Sequence, residues 1–167
     1  NTGRHASNVK QAYGYNVMGA DINPAAISVA QRKGIPAELI TPNFFEKYKL
    51  SFDVIINSHV LEHVDDPKDF LVNIRGLLKE EGTFVIAIPQ ERIRGDISPL
   101  QILYFLSRLK FENPHKHNFS KDQLFTLLIE AGFTPKEHIF CNFIPPFLTK
   151  DRIFITSRSL VVKCTKN

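Results

Sequence analysis

At 167 residues with 43% hydrophobic and 23% charged content, the chain is long enough to bury one core and shows no collagen-like, low-complexity or disorder-like bias. Its net charge of +4 comes from 21 basic and 17 acidic residues spread among one another, which is not the concentrated basic footprint of a nucleic-acid binder. No apolar run approaches the roughly 18 residues of a membrane span, and Cys141 and Cys164 are too few for a disulfide framework, so the expectation is one cytoplasmic, soluble domain over residues 1–167.

The first helix is expected from about Gly3 to Tyr13, stopped by Gly14. Residues Asn16 to Asp21 read as a strand, and Asn23-Pro24 supplies an N-cap followed by proline at the first helical position. That helix ends near Lys33, before Gly34. Pro36 to Ile40 is a weaker strand, and Thr41 to Leu50 a loop with one helical turn. Phe52-Asp53-Val54-Ile55-Ile56-Asn57-Ser58 is apolar at nearly every position, which predicts a strand buried on both faces.

Asp66-Pro67 repeats the cap-plus-proline start, and Phe70, Leu71, Ile74, Leu77 and Leu78 form one helical stripe closed by Gly82. Thr83 to Ile88 is a further strand, ended by Pro89. The segment from Pro99 to Leu109 leaves almost no polar face, as a helix covered on several sides would. Ser120 and Gln123 form a capping box for a helix stopped by Gly132. Two extended segments, Thr134 to Phe143 and Ser159 to Thr165, read as an antiparallel pair at the sheet edge. Strands alternating with amphipathic helices predict a parallel sheet with helices on both sides.

Open α/β sheets bind ligands at the carboxyl ends of their strands, and three groups of residues fall there. Asp21 ends a strand eighteen positions after Gly3, close to the ~20-residue spacing at which an acidic residue meets a ribose diol in nucleotide-binding folds. Its bland alternative is a helix cap, a role Asn23 fills better. Ser58 and His59 follow the most apolar strand, and a histidine there titrates near neutrality and can accept a proton; its alternative is a hydrogen-bonded pocket wall. In Leu61-Glu62-His63, Leu61 reads as core, Glu62 as a turn brace and His63 as a second candidate base. His115 and His117 show an HxH spacing without the third ligand that a metal needs, so no metal is expected.

The words FDVIINSHVLEHVDDP, with GLLKEEGTFVIAIP, HNFSKDQLFTLLIEAGF and RSLVVKC in that order, resemble class I S-adenosylmethionine-dependent methyltransferases, in particular the small-molecule branch of ubiquinone-pathway O-methyltransferases. The resemblance implies a Rossmann-like, doubly wound, mostly parallel sheet with a C-terminal antiparallel strand pair. It implies S-adenosylmethionine as cofactor, methyl transfer to a small-molecule acceptor with O-methylation favoured, and a substrate-cover insertion over 90–119. By the same resemblance Gly3 is the last glycine of a motif whose middle glycine is replaced by Asn1, and Ile22 lies against adenine, a core role being the alternative. Thr41 and Asn43 fall where an acid often meets the adenine amino group. Ser58 and His59 adjoin the methionine half, and His115, His117 and Tyr104 contact the acceptor.

The strand that normally precedes the glycine motif is missing, which leads to the expectation of an N-terminally incomplete chain, testable by intact mass. The apolar segment 99–109 has three open readings: a cover over an apolar acceptor, a homodimer interface, or packing against N-terminal helices missing from the sequence. Two other readings stay open: a non-catalytic methyltransferase-like interaction module, and a nicotinamide-dependent oxidoreductase.

Overall fold

The computed structural model describes residues 3–90, 116–142, 148–149 and 157–166. The chain divides into two compact units, Asn1–Tyr48 and Lys49–Asn167. In the first, α1 (Arg4–Tyr13), β1 (Gly19–Asp21), α2 (Pro24–Arg32), β2 (Ala37–Leu39) and α3 (Phe44–Lys47) follow in order. Gly3 precedes α1 with φ 75°, a left-handed conformation that a side chain disfavours. A Cβ at Gly3 would lie 3.0 Å from the Ala30 Cβ, so glycine lets the start of α1 close onto α2. Asn23 caps α2 by accepting the Ala25 N–H at 2.9 Å, and Pro24 opens its first turn. β1 and β2 pair in parallel from Gly19 against Ala37 to Asp21 against Leu39. Both strands are shorter than expected. Ile27, Ala30, Ile35 and Phe44 are the buried apolar residues of this unit.

The second unit is a five-stranded sheet in the order β3-β4-β7-β5-β6. Here β3 is Phe52–Ser58, β4 Leu78–Pro89, β5 Phe133–Asn142, β6 Leu148–Thr149 and β7 Ser157–Lys166, with helices α4 (Pro67–Leu77) and α5 (Lys121–Glu130). β3 and β4 are parallel; β7 runs antiparallel to both β4 and β5. The expected α/β class with a closing antiparallel pair is therefore present. Asp66 caps α4 by accepting the Lys68 and Asp69 N–H groups, and Ser120 with Gln123 makes both bonds of the capping box on α5. Leu71, Ile74 and Leu77 of α4, Leu124 and Leu128 of α5, and Phe84, Ile86, Ile88, Phe133, Leu160 and Val162 of the strands are buried together. Each such side chain contributes about 1.5–3 kcal/mol by leaving water. Phe84 stacks on Phe133 with ring centroids 4.9 Å apart.

Two expectations are corrected. The helix predicted to run to Gly82 stops at Leu77, because Leu78 already pairs with Phe52 and a bulge carries the chain to the pairing of Thr83 with Val54. Gly82 belongs to that bulge, where a Cβ would lie 2.9 Å from the Lys79 carbonyl oxygen. The second correction concerns β3, which is not buried on both faces: Val54 and Ile56 are 54% and 55% exposed. β3 ends its sheet, and an apolar strand is covered only where a layer lies over it. No layer covers that face among the described residues of its unit.

Candidate functional site

In the first unit, Asp21 ends β1. Its Oδ1 accepts the Asn23 N–H at 2.9 Å, and its carbonyl accepts the Ile40 N–H at 2.9 Å. The second bond sets Asp21 and Thr41 at the same end of neighbouring strands. Burial pushes the Asp21 carboxyl up, while the Asn23 and Ile22 backbone N–H groups pull it down. Asp21 is an ionised acceptor at a strand end. Ile22 is 78% exposed, which rules out its core alternative. Asn43 precedes α3 without a side-chain cap bond, and the Thr41 carbonyl accepts the Phe44 N–H; both side chains face solvent.

In the second unit, Ser58 ends β3 and pairs with Ala87. The His59 N–H donates to the Ala87 carbonyl at 2.9 Å, after which the chain turns sharply, with His59 at φ 54°. A left-handed non-glycine residue costs on the order of 1–3 kcal/mol and persists where its surroundings enforce it. Leu61–His63 then form one 3-10 turn. Leu61 is fully buried and pins the turn, as the sequence predicts.

Glu62 is 1% exposed, and neither carboxylate oxygen accepts a hydrogen bond among the described residues. Two imidazoles stand beside it: His59 Nδ1 at 3.5 Å and His63 Nε2 at 3.9 Å from Oε1. Burial pushes the Glu62 carboxyl up, but the adjoining His59 imidazole, the Glu62 backbone N–H and the charges of both histidines hold it below the ordinary 4.5. A buried carboxylate stays ionised only against positive or donating neighbours. The turn therefore couples one buried negative charge to two imidazoles that reach solvent.

Two distant segments complete this turn. The Lys116 and His117 N–H groups donate to the Glu62 carbonyl at 2.8 and 3.1 Å, and Lys116 Nζ pairs with Asp65 at 2.6 Å. His117 Nε2 lies 2.9 Å from the Val64 carbonyl, its ring stacks on Phe119, and it borders an open surface hollow with Gln123 and Leu127. From β7, Ser159 places its Oγ 3.2 Å from His59 Nε2. Ser159 was not among the residues that the sequence singled out. The available signal was its place at the start of the last strand, because an antiparallel strand entering beside the end of β4 must begin at the carboxyl edge.

His115, Tyr104 and most of the 90–119 insertion lie outside the described residues. Among the described residues no three His, Cys, Asp or Glu side chains group as metal ligands, and no helix is long and apolar enough to cross a membrane. The cysteines stand apart from the turns, with burial pushing the Cys164 thiol up to about 12 and the Cys141 thiol upward.

Residues 1–138 match a family model described as a methyltransferase domain. The ubiquinone biosynthesis O-methyltransferase of Roseobacter denitrificans is 29% identical over 136 residues, which cover 73% of this chain and 52% of that protein. The protein of the same name from Ruegeria sp. is 29% identical, with 73% and 53% covered. The chain thus spans about half the length of the curated relatives it matches. Among solved structures, an S-adenosylmethionine-dependent methyltransferase from Thermotoga maritima shares the fold with a TM-score of 0.74 at 20% identity, over 99% of this chain and 78% of that one.

Proposed function

The chain belongs to the methyltransferase domain family, and from that premise we propose that it transfers a methyl group from S-adenosylmethionine to a small-molecule acceptor, with oxygen as the methylated atom. The relatives named as O-methyltransferases support oxygen. The residues of each unit suit such a cofactor. Asp21, ionised at a strand end, accepts the protons of a ribose diol. Ile22 offers exposed apolar surface to adenine, with Thr41 and Asn43 as polar groups for its edge. Gly3 stands at the start of α1, and Ser58 and His59 serve the methionine half. When bound, the cofactor supplies a methyl group already activated on sulfonium.

What remains for the chain is to orient the acceptor, exclude water and receive a proton. His59 and His63 are the bases in this reading, and His117, with His115 and Tyr104 from outside the described residues, contacts the acceptor. The observation that supports the reading best is the His59 imidazole set at the carboxyl end of β3 against the buried Glu62 carboxylate. A homodimer and a cytoplasmic location complete the proposal. Calorimetric titration with S-adenosylhomocysteine tests it: saturable binding is expected, weakened about tenfold or more by Asp21→Ala, since hydrogen bonds to a charged group contribute about 1.5–3 kcal/mol. No binding by the wild-type chain overturns it.

A further inference from the structure

We propose that Glu62, His59 and Ser159 act as one proton relay, in which Glu62 is a positioning residue for His59 and Ser159 is the hydroxyl through which the acceptor's proton reaches His59 Nε2. This rests on the methyl-transfer reading and adds to it a residue from β7 and a direction for the proton. The three groups lie in a row, with Glu62 Oε1 3.5 Å from His59 Nδ1 and His59 Nε2 3.2 Å from Ser159 Oγ. One imidazole therefore faces a carboxylate with one nitrogen and a hydroxyl with the other.

The order of polarity follows from burial. Glu62 is 1% exposed and without a hydrogen-bond donor among the described residues, so its charge favours a proton on the nitrogen that faces it. With Nδ1 protonated, the neutral ring presents Nε2 as an acceptor, and the Ser159 O–H donates to it. The left-handed backbone of His59 is a separate observation. Strain of that kind is held by its surroundings, and two of the contacts here come from elsewhere: the N–H is bonded to Ala87 and the ring is met by Ser159, 100 residues away in sequence. Of the other charged groups around the turn, His63 also meets the carboxylate of the row, while Lys116 and His117 are engaged elsewhere. His63 Nε2 is 3.9 Å from Glu62, Lys116 pairs with Asp65, and His117 Nε2 meets the Val64 carbonyl.

In the transfer step, Ser159 gives its proton to His59 Nε2 and takes the proton of the acceptor hydroxyl. The acceptor oxygen forms its bond to the methyl carbon with the freed electron pair, while the pair of the breaking carbon–sulfur bond stays on the donor's sulfur. The positive charge thereby moves from sulfonium to imidazolium, and Glu62 faces the charge that appears. Atoms and charge balance without a further reactant.

The relay predicts shifts of opposite sign at one imidazole. Nitrogen-15 NMR titration of the full chain, with no cofactor added, reads the His59 tautomer and its midpoint. Expected for the wild type is the Nδ1–H tautomer; Glu62→Gln loses that preference and moves the midpoint down. Ser159→Ala keeps the tautomer and moves the midpoint up, because a donor to neutral Nε2 is removed, and Ser159→Thr restores it. Shifts of the same sign, or no shift in either variant, overturn the relay; should Glu62→Gln fail to fold, an unmoved midpoint in Ser159→Ala overturns it alone. S-adenosylhomocysteine calorimetry reports separately on the methyl-transfer reading, so the two failures are distinguishable.

Discussion

The turn after β1 and the turn after β3 both follow a parallel strand at its carboxyl end, yet they are held by different means. Among the described residues, the first has side-chain bonds that run to near neighbours: Asp21 Oδ1 takes the Asn23 N–H and Asn23 Oδ1 takes the Ala25 N–H, each two residues away. The second is assembled from afar, with His59 bonded to Ala87, Glu62 strapped by Lys116 and His117, and Ser159 reaching the imidazole. Ile22 stands in solvent in the first turn, whereas Leu61 is fully buried in the second. A locally bonded turn presents groups outward with little dependence on the core. A turn pinned by a buried side chain ties its chemistry to global folding.

The largest test of that contrast is a pair of truncations. Leu61→Ala should cost about 2–5 kcal/mol of stability, as large-to-small changes in a packed core do, while Ile22→Ala should stay within about 0.5 kcal/mol; urea unfolding midpoints compare them, and equal losses would break the contrast. Within the first turn the largest single loss should come from Asn23→Ala, about 1 kcal/mol for a helix cap, read by thermal melting. Proton linkage sharpens the comparison further. The Glu62 carboxyl lies below its ordinary 4.5 in the folded chain, so its stabilisation is complete above that value and is lost as pH falls through the lower folded value. Urea midpoints from pH 6 down to 3 should therefore fall more steeply for the wild type than for Glu62→Gln. The smallest effect belongs to Lys116→Ala: its backbone N–H, not its exposed ammonium, straps the turn, and the melting temperature should not move.

What the sequence disclosed follows the same division. Caps at Asn23, Asp66 and Ser120, and the stop at Gly14, were legible because each depends on residues within a few positions. The strand Phe52–Ser58 was legible from its apolar run, but its exposure was not, since burial depends on which layers cover it. The end of α4 was misplaced by five residues because a bulge set by pairing with Phe52, not the glycine signal, decided where the strand begins. At the candidate site, His59 and the bracing position of Glu62 could be read from local words. Ser159 could not, because its proximity to His59 is a matter of sheet order and register across 100 residues.

The burial of Cys164 on β7 has a practical consequence for every experiment that alters Ser159 on the same strand. A thiol pushed up to about 12 by burial presents almost no thiolate to an alkylating reagent while the strand is in place. Its labelling rate is then a clock for opening of the sheet, independent of ligand and of turnover. A Ser159 variant that changes the His59 titration while Cys164 keeps wild-type time has lost a hydroxyl and nothing else.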